Sequence, residues 1–287
     1  MIVYLNGDYL PIEEARISPL DRGFLFGDGI YEALPFYGGR PVALGLHLQR
    51  MANGMAEIGI ENPLSNKEWH TVAEELVKRN GNDGNLGLYI QVTRGNEGRR
   101  FHGFPENTRP TVFCMTVPIP THPESPDRNS IQGLKVASTE DLRWRRCHIK
   151  STSLLGNVLS FQYGYAQGCD ETIQYNALGE LTEGSMNNVF IVKNGVVATP
   201  PLDNQLLPGI SRHIIIESLR ADGRIPVEER VVKMEEVRSA DELWISNSAN
   251  HIAPVVELDG QPVGDGKVGQ VWELAKRVYE DNKFNFD

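Results

Sequence analysis

Three short stretches of this chain carry residues that could do chemistry. Lys150 stands in RCHIKSTSLLGNVLS, residues 146–160, one lysine among small and apolar neighbours. The next charge on its C-terminal side is Asp170, and Leu154, Leu155, Val158, Leu159 and Phe161 read as a buried helix within 151–167. A lysine at the edge of a dry region shifts its pKa readily, which turns an amine into a nucleophile or a Schiff-base former. The alternative is a helix-flanking lysine whose amine snorkels to water. In LTEGSMNNVFIV, Glu183 lies between apolar strand residues and a small-residue turn, where an acid is paired or protonated unless the turn exposes it. In LLPGISRHIII, Gly209 precedes an amphipathic helix with Ser211 in its first turn. That start is either an anion cup of free N–H groups and a hydroxyl or a cap serving its own helix.

An amine, a carboxylate and a phosphate cup are the parts that pyridoxal phosphate chemistry needs. The lysine binds the cofactor and shuttles a proton, the phosphate anchors it, and the acid keeps its ring nitrogen protonated. Other chemistries lack their signatures. There is no Walker loop, no HExxH and no GxSxG. The seven histidines are scattered without zinc-site spacing, so no metal is expected. Cys114, Cys147 and Cys169 make neither a metal set nor a disulfide framework and read as reduced thiols. A net charge of −10 with no basic run argues against nucleic acid. The start MIVYLNGDYLP lacks the pattern of a signal peptide, and no apolar run approaches the ~18 residues of a membrane span. A cytoplasmic location is therefore expected.

The elements that must position these residues read as strands and helices mixed without strict alternation. The 287 residues suggest two domains and an α+β class. A hairpin turns at Asn6-Gly7, and strands are expected around 30–37, 86–93 and 111–117. Between them lie a helix over 47–60, with Leu48, Met51, Met55 and Ile58 on one face, and a helix opened by the capping box Ser65 to Glu68. PIPTHPESPDRNS, 118–130, has four prolines and reads as an interdomain linker between domains 1–117 and 131–287. Beyond it come the strand GLKVAS, strands turning at Leu178-Gly179, Asn194-Gly195 and Asp259-Gly260, and helices over 209–221, 233–239 and 268–280.

Six ordered blocks carry a resemblance over nearly the whole length: DRGFLFGDGIYEAL, HLQRM, VTRGNEGRRFHGFPENTRP, DLRWRRCHIKSTSLLGNVLS, LTEGSMNNVF and LLPGISR. The chain resembles the class IV aminotransferases, pyridoxal phosphate enzymes of fold type IV, and is similar above all to their D-amino-acid (D-alanine) branch. The resemblance implies a small N-terminal α/β domain and a larger, β-barrel-like C-terminal domain. It implies pyridoxal 5'-phosphate as cofactor, with Lys150 as the Schiff-base and catalytic lysine and Glu183 on the pyridine nitrogen. Arg50, Ile210, Ser211 and Ser248 match the phosphate contacts, and Leu207 packs on the ring. Tyr31, Arg100 and His102 match the trap for the substrate α-carboxylate, the R-x-H part being donated by the neighbouring subunit of a homodimer. A guanidinium grips a carboxylate through two bonds, and histidine and tyrosine add donors.

The implied reaction moves an amino group between a D-amino acid such as D-alanine and a 2-oxo acid such as 2-oxoglutarate. An L-branched-chain aminotransferase, an R-selective amine transaminase and an aminodeoxychorismate lyase are the alternatives on the same fold. Three positions depart from the pattern. The loop GNEGRRFH is one residue longer than the pattern expects, so Arg99 could take the role given to Arg100. Pro35 stands where a polar or basic residue is usual, and Met186 where a small hydroxyl is common. These affect the range of substrates more than the class of reaction.

Overall fold

The computed structural model describes residues 1–81, 84–122 and 127–286. Residues 123–126 of the proline-rich stretch read as a linker lie outside the described residues. The chain divides into two compact units. One is Met1–Thr121 with Ile149–Leu154 and Phe284–Asp287; the other is His122–His148 with Leu155–Lys283. The short segment around Lys150 thus belongs with the N-terminal residues, a non-local pairing that a reading by contiguous stretches does not reveal.

The first unit is a six-stranded sheet: β1 (Ile2–Leu5), β2 (Asp8–Pro11), β3 (Gly29–Tyr37), β4 (Arg40–Pro41), β5 (Asn85–Thr93) and β6 (Thr111–Pro118), in the order β2-β1-β6-β5-β3-β4. Period-two alternation decides its faces. Leu88, Ile90 and Val92 of β5 are buried, while Tyr89 and Gln91 between them are partly open. The helices α2 (Leu44–Glu57) and α3 (Asn66–Asn80) bring Leu48, Met51, Met55, Trp69, Val72 and Leu76 into one core with those residues. A third, short helix, α1 (Arg22–Phe26), precedes β3 and is capped by Asp21, which accepts from the Gly23 N–H. Pro35 sits inside β3 without breaking it. Its carbonyl accepts from Val42, so its backbone faces away from β5 and the missing donor costs no β3–β5 bond. On the same side, the N-terminal half of β3 pairs with the segment around Lys150: Tyr31 donates to the Lys150 carbonyl (3.0 Å) and Thr152 to that of Gly29 (2.9 Å).

The second unit is a nine-stranded sheet. Its strands are β7 (Leu134–Glu140), β8 (Glu171–Tyr175), β9 (Leu181–Gly184), β10 (Asn188–Lys193), β11 (Val196–Thr199), β12 (Val227–Glu229), β13 (Glu242–Asn247), β14 (His251–Leu258) and β15 (Gln261–Pro262). The order is β12-β11-β10-β13-β14-β7-β8-β9, with β15 on β14. β9 ends the path, yet three residues join it to β10 near the other end, and Gly184 donates to the Asn187 carbonyl across that turn. The sheet must curl for so short a connection to close. Val136, Ile173, Val189, Ile191, Leu243, Ile245 and Val255 fill its core. The helices are α4 (Leu155–Tyr165), α5 (Ile210–Asp222), α6 (Met234–Arg238) and α7 (Gln270–Asn282).

One expectation is overturned here. The helix after Lys150 is not buried: Leu155, Val158 and Leu159 are 71%, 58% and 62% exposed, and Gly164 alone in α4 is buried. An apolar run records that a surface avoids water, not which molecule covers it.

Candidate active site

Lys150 lies in the first unit, beside the start of β3. The pairing of 149–152 with Gly29–Tyr31 fixes its register, and Ile149 anchors the segment in the core. Its Nζ lies 4.2 Å from the centre of the Tyr31 ring, which in turn stacks on Tyr89 at 5.8 Å. Because side chains alternate along a strand, the next residue, Glu32, points to the opposite, helix-covered face. There it is fully buried and takes two bonds from Arg50, at 2.7 and 2.8 Å, and one contact with His47 Nδ1 at 2.7 Å. Burial alone would raise the Glu32 carboxyl, but Arg50 and His47 more than offset it and hold it well below the carboxylate range. Burial pushes His47 down, against the pull of Glu32. Arg50, expected at the cofactor phosphate, thus has its guanidinium aimed by a buried acid four residues beyond Asp28.

Glu183 lies in the second unit, on β9, and is 5% exposed. The exposed-turn alternative is excluded. One oxygen accepts from Arg143 at 2.7 Å and the other from the Leu207 N–H at 2.9 Å. Burial raises its pKa, while Arg143 and the Leu207 N–H pull it down. Arg143 is itself clamped by Asp141, which also accepts from the Thr182 hydroxyl at 2.9 Å. A carboxylate has about four acceptor positions, so Glu183, with two of them taken, retains capacity for a ring-nitrogen donor.

Leu207 is half-buried, and its carbonyl accepts from the Asn188 side chain at 2.9 Å. Two residues on, Gly209 caps α5 without any side-chain bond. Ser211 therefore does not serve as the cap of its own helix; it is buried and bonded to the Tyr279 hydroxyl. A Cβ at Gly209 would meet Asn188 Oδ1 at 1.9 Å, so only glycine fits that close approach. Ile210 is the first residue of α5. Ser248 opens the turn between β13 and β14. That turn is shaped by Asn247 Oδ1, which accepts from the Ala249 and Asn250 N–H groups at 2.9 and 2.7 Å. Asn247 donates to Asn187 at 2.8 Å, and Asn187 to the buried Glu171.

Arg100 and His102 lie on the loop between β5 and β6, in the first unit, and both are exposed. The Arg100 guanidinium and the His102 ring each lie 5.1 Å from the Phe26 ring centre. Arg99 turns instead to Glu97 (3.6 Å) and the Phe101 ring (4.8 Å).

Residue-level reading misses Glu32, His47, Asp141, Arg143, Glu171 and Asn187. The one signal available was the D-x-R spacing of Asp141 and Arg143, which is too common to single out. Among the described residues no cluster of His, Cys, Asp and Glu is placed to hold a metal. An uncapped helix start with a buried hydroxyl suits a phosphate dianion, and a buried acid with spare acceptor capacity suits a protonated ring nitrogen. The residues present fit pyridoxal phosphate.

The comparisons with known proteins agree. The model of the family described as amino-transferase class IV matches residues 29–258. The D-alanine aminotransferase of Staphylococcus aureus (strain MSSA476) is 37% identical over 280 residues, covering 97% of this chain and 96% of that protein. That of Staphylococcus haemolyticus is 38% identical over 270 residues, covering 94% and 93%. A branched-chain aminotransferase structure from Thermoproteus uzoniensis, solved with norvaline, superposes with a TM-score of 0.87 at 26% identity, covering 100% and 96%. The chain belongs to the class IV aminotransferases, whose cofactor is pyridoxal 5'-phosphate, and its fold is the two-domain fold type IV.

Proposed function

We propose that this chain is a D-amino-acid transaminase, moving the amino group between D-alanine or a similar D-amino acid and a 2-oxo acid such as 2-oxoglutarate, giving pyruvate and D-glutamate. The observation that carries this reading is 37% identity to a D-alanine aminotransferase over 97% of the chain. The branched-chain enzyme from Thermoproteus uzoniensis stands at 26%. The R-x-H motif at Arg100 and His102 supports the same branch.

Bound pyridoxal phosphate supplies the electron sink for bond breaking at the substrate α-carbon. The chain's own residues do the rest. Lys150 binds the cofactor through Nζ and then carries the proton on and off the α-carbon. The Tyr31 ring beneath Nζ limits where that amine can swing. Glu183 holds the proton of the ring nitrogen; burial raises its carboxyl, and the ion pair with Arg143 offsets part of that rise. Arg50, Ile210, Ser211 and Ser248 hold the phosphate, and Leu207 packs on the ring. Tyr31, Arg100 and His102 hold the substrate carboxylate. The lysine delivers its proton from a fixed face, so the side on which the carboxylate is held selects the enantiomer.

The enzyme works as a homodimer with Arg100 and His102 supplied to the neighbouring subunit, in the cytoplasm. The exposed Leu155, Val158 and Leu159 of α4 support an apolar subunit contact. No helix of the described residues is long and apolar enough to cross a membrane.

The test is the visible spectrum of the purified holoprotein, followed on addition of D-alanine and, separately, of L-leucine. Bleaching by D-alanine alone is expected. Bleaching by L-leucine alone would overturn the handedness and leave the branched-chain reading. Lys150→Ala should lose the bound-cofactor band and lower turnover by on the order of 10³-fold; a variant with near-native turnover would remove Lys150 from its role.

A further inference from the structure

The loop between β5 and β6 has no helix or strand of its own from Gly95 to Pro110, apart from an isolated bridge at Asn96. Such a loop needs partners for its backbone if it is to hold one shape. One side chain supplies many of them. Arg22, 3% exposed, donates through Nη1 to the carbonyls of Phe101 (2.5 Å) and Gly103 (3.2 Å), and through Nη2 to that of His102 (3.3 Å). Three consecutive carbonyls of the R-F-H-G stretch thus converge on one guanidinium. Arg22 is fixed in turn by Asp28 at Nε (2.8 Å) and by Glu97 (3.1 Å). Asp28 also receives Arg94, at 2.8 and 3.0 Å, and Arg94 lies 3.6 Å over the Phe104 ring at the far end of the stretch. Between the two arginines stands Phe26. Its ring lies under Arg22 at 5.0 Å and under the Arg100 guanidinium at 5.1 Å, with the His102 ring also at 5.1 Å.

We propose that Arg22 is a positioning residue for substrate recognition: it sets the shape of the 100–103 backbone and so the direction in which Arg100 and His102 are presented to the substrate carboxylate. This rests on the carboxylate-holding role given to Arg100. Arg22 does not touch substrate; it acts through the loop. A lysine in its place keeps a cation beside Asp28 and Glu97, but its single ammonium cannot span three carbonyls as a planar fork does.

The test is a double-mutant cycle in the holoenzyme with Arg22→Lys and Arg100→Ala, reading KM for D-alanine, kcat and the dissociation constant of pyridoxal phosphate. Arg22→Lys should raise KM about tenfold with kcat within about twofold and cofactor affinity unchanged. Added to Arg100→Ala it should raise KM by clearly less than the tenfold it causes alone, because only His102 is left for it to aim. A general structural defect would instead weaken cofactor binding or add its effect in full. A native KM in Arg22→Lys, or full additivity, overturns the inference alone. A native KM in Arg100→Ala overturns the carboxylate reading and the inference with it. If Arg22→Lys does not fold, Phe26→Leu removes the ring on which Arg100 and His102 rest; it must show the same non-additive rise in KM, and a native KM there counts against the proposal.

Discussion

His251 shows how one buried side chain can set the acid limit of a fold. It is 0% exposed, has a left-handed φ of 57°, and holds Nδ1 2.6 Å from Glu280 Oε1. Its burial pushes its pKa down to about 3, against the pull of Glu280. In the unfolded chain a histidine titrates near ~6.5. Between those values the unfolded state binds a proton that the folded state refuses, so stability falls as pH drops through that window, by up to ~1.4 kcal/mol per pH unit. His47 and His122 are lowered mainly by burial and act with the same sign. Glu280 is held below the carboxylate range, and its contribution is lost only below about pH 4.3, outside the range that matters here. His251→Asn suits the left-handed backbone and removes one proton-refusing group. Its urea midpoint should fall less steeply than the native one between pH 7 and 5; an equal slope would assign the acid sensitivity to other groups. Residues of this kind were hidden in the sequence. Lys150, Glu183 and Ser211 were legible as candidates because each stands out against its immediate neighbours. Arg22, Glu32, Arg143 and His251 take their meaning from partners 79, 15, 40 and 29 residues away, which only the fold brings together.

At the scale of elements, legibility follows how local the cause is. The capping box at the start of α3 was readable because both of its partners lie within four residues. Ser65 Oγ accepts from the Glu68 N–H at 3.4 Å, and Glu68 takes the Ser65 N–H at 2.7 Å. The helix it opens buries Trp69, Val72 and Leu76 against the first sheet, so a loss at the cap is a loss to the whole unit. Ser65→Ala should cost about 1 kcal/mol in urea unfolding, with kcat and KM unchanged; a cost below about 0.3 kcal/mol would mean that water replaces the cap. α5 makes the opposite choice at Gly209 and leaves its N–H groups uncapped by a side chain, the arrangement expected where a ligand is to bind. Two elements were not legible. The pairing of 149–152 with β3 joins residues about 120 apart, and no periodicity encodes it. α4 was legible as apolar and misread as core, because hydropathy measures avoidance of water and does not name the cover.

At the scale of the whole molecule, the shared-site reading makes a prediction that no single chain can satisfy. Suppose Arg100 serves the subunit next to its own. A dimer of one Lys150→Ala chain and one Arg100→Ala chain then has one site with both lesions and one with none. The intact site combines Lys150 from the second chain with Arg100 from the first. Coexpressed in equal amounts, the two chains form heterodimers in about half of all dimers, each with one native site, so about a quarter of native D-alanine turnover should return. If Arg100 serves its own subunit, every site carries a lesion and mixing restores nothing beyond the mean of the two parents. The α4 face provides the control. Leu155 and Leu159 are the two most exposed of the apolar side chains named on α4, 71% and 62% exposed in the single chain. Replacing both with lysine places like charges where an apolar contact is expected, so the double variant should sediment as a monomer and abolish the complementation. A variant pair that stays dimeric and still complements would move the subunit contact away from α4 while leaving the shared site intact. Complementation without any dimer at working concentration would sink the shared site itself.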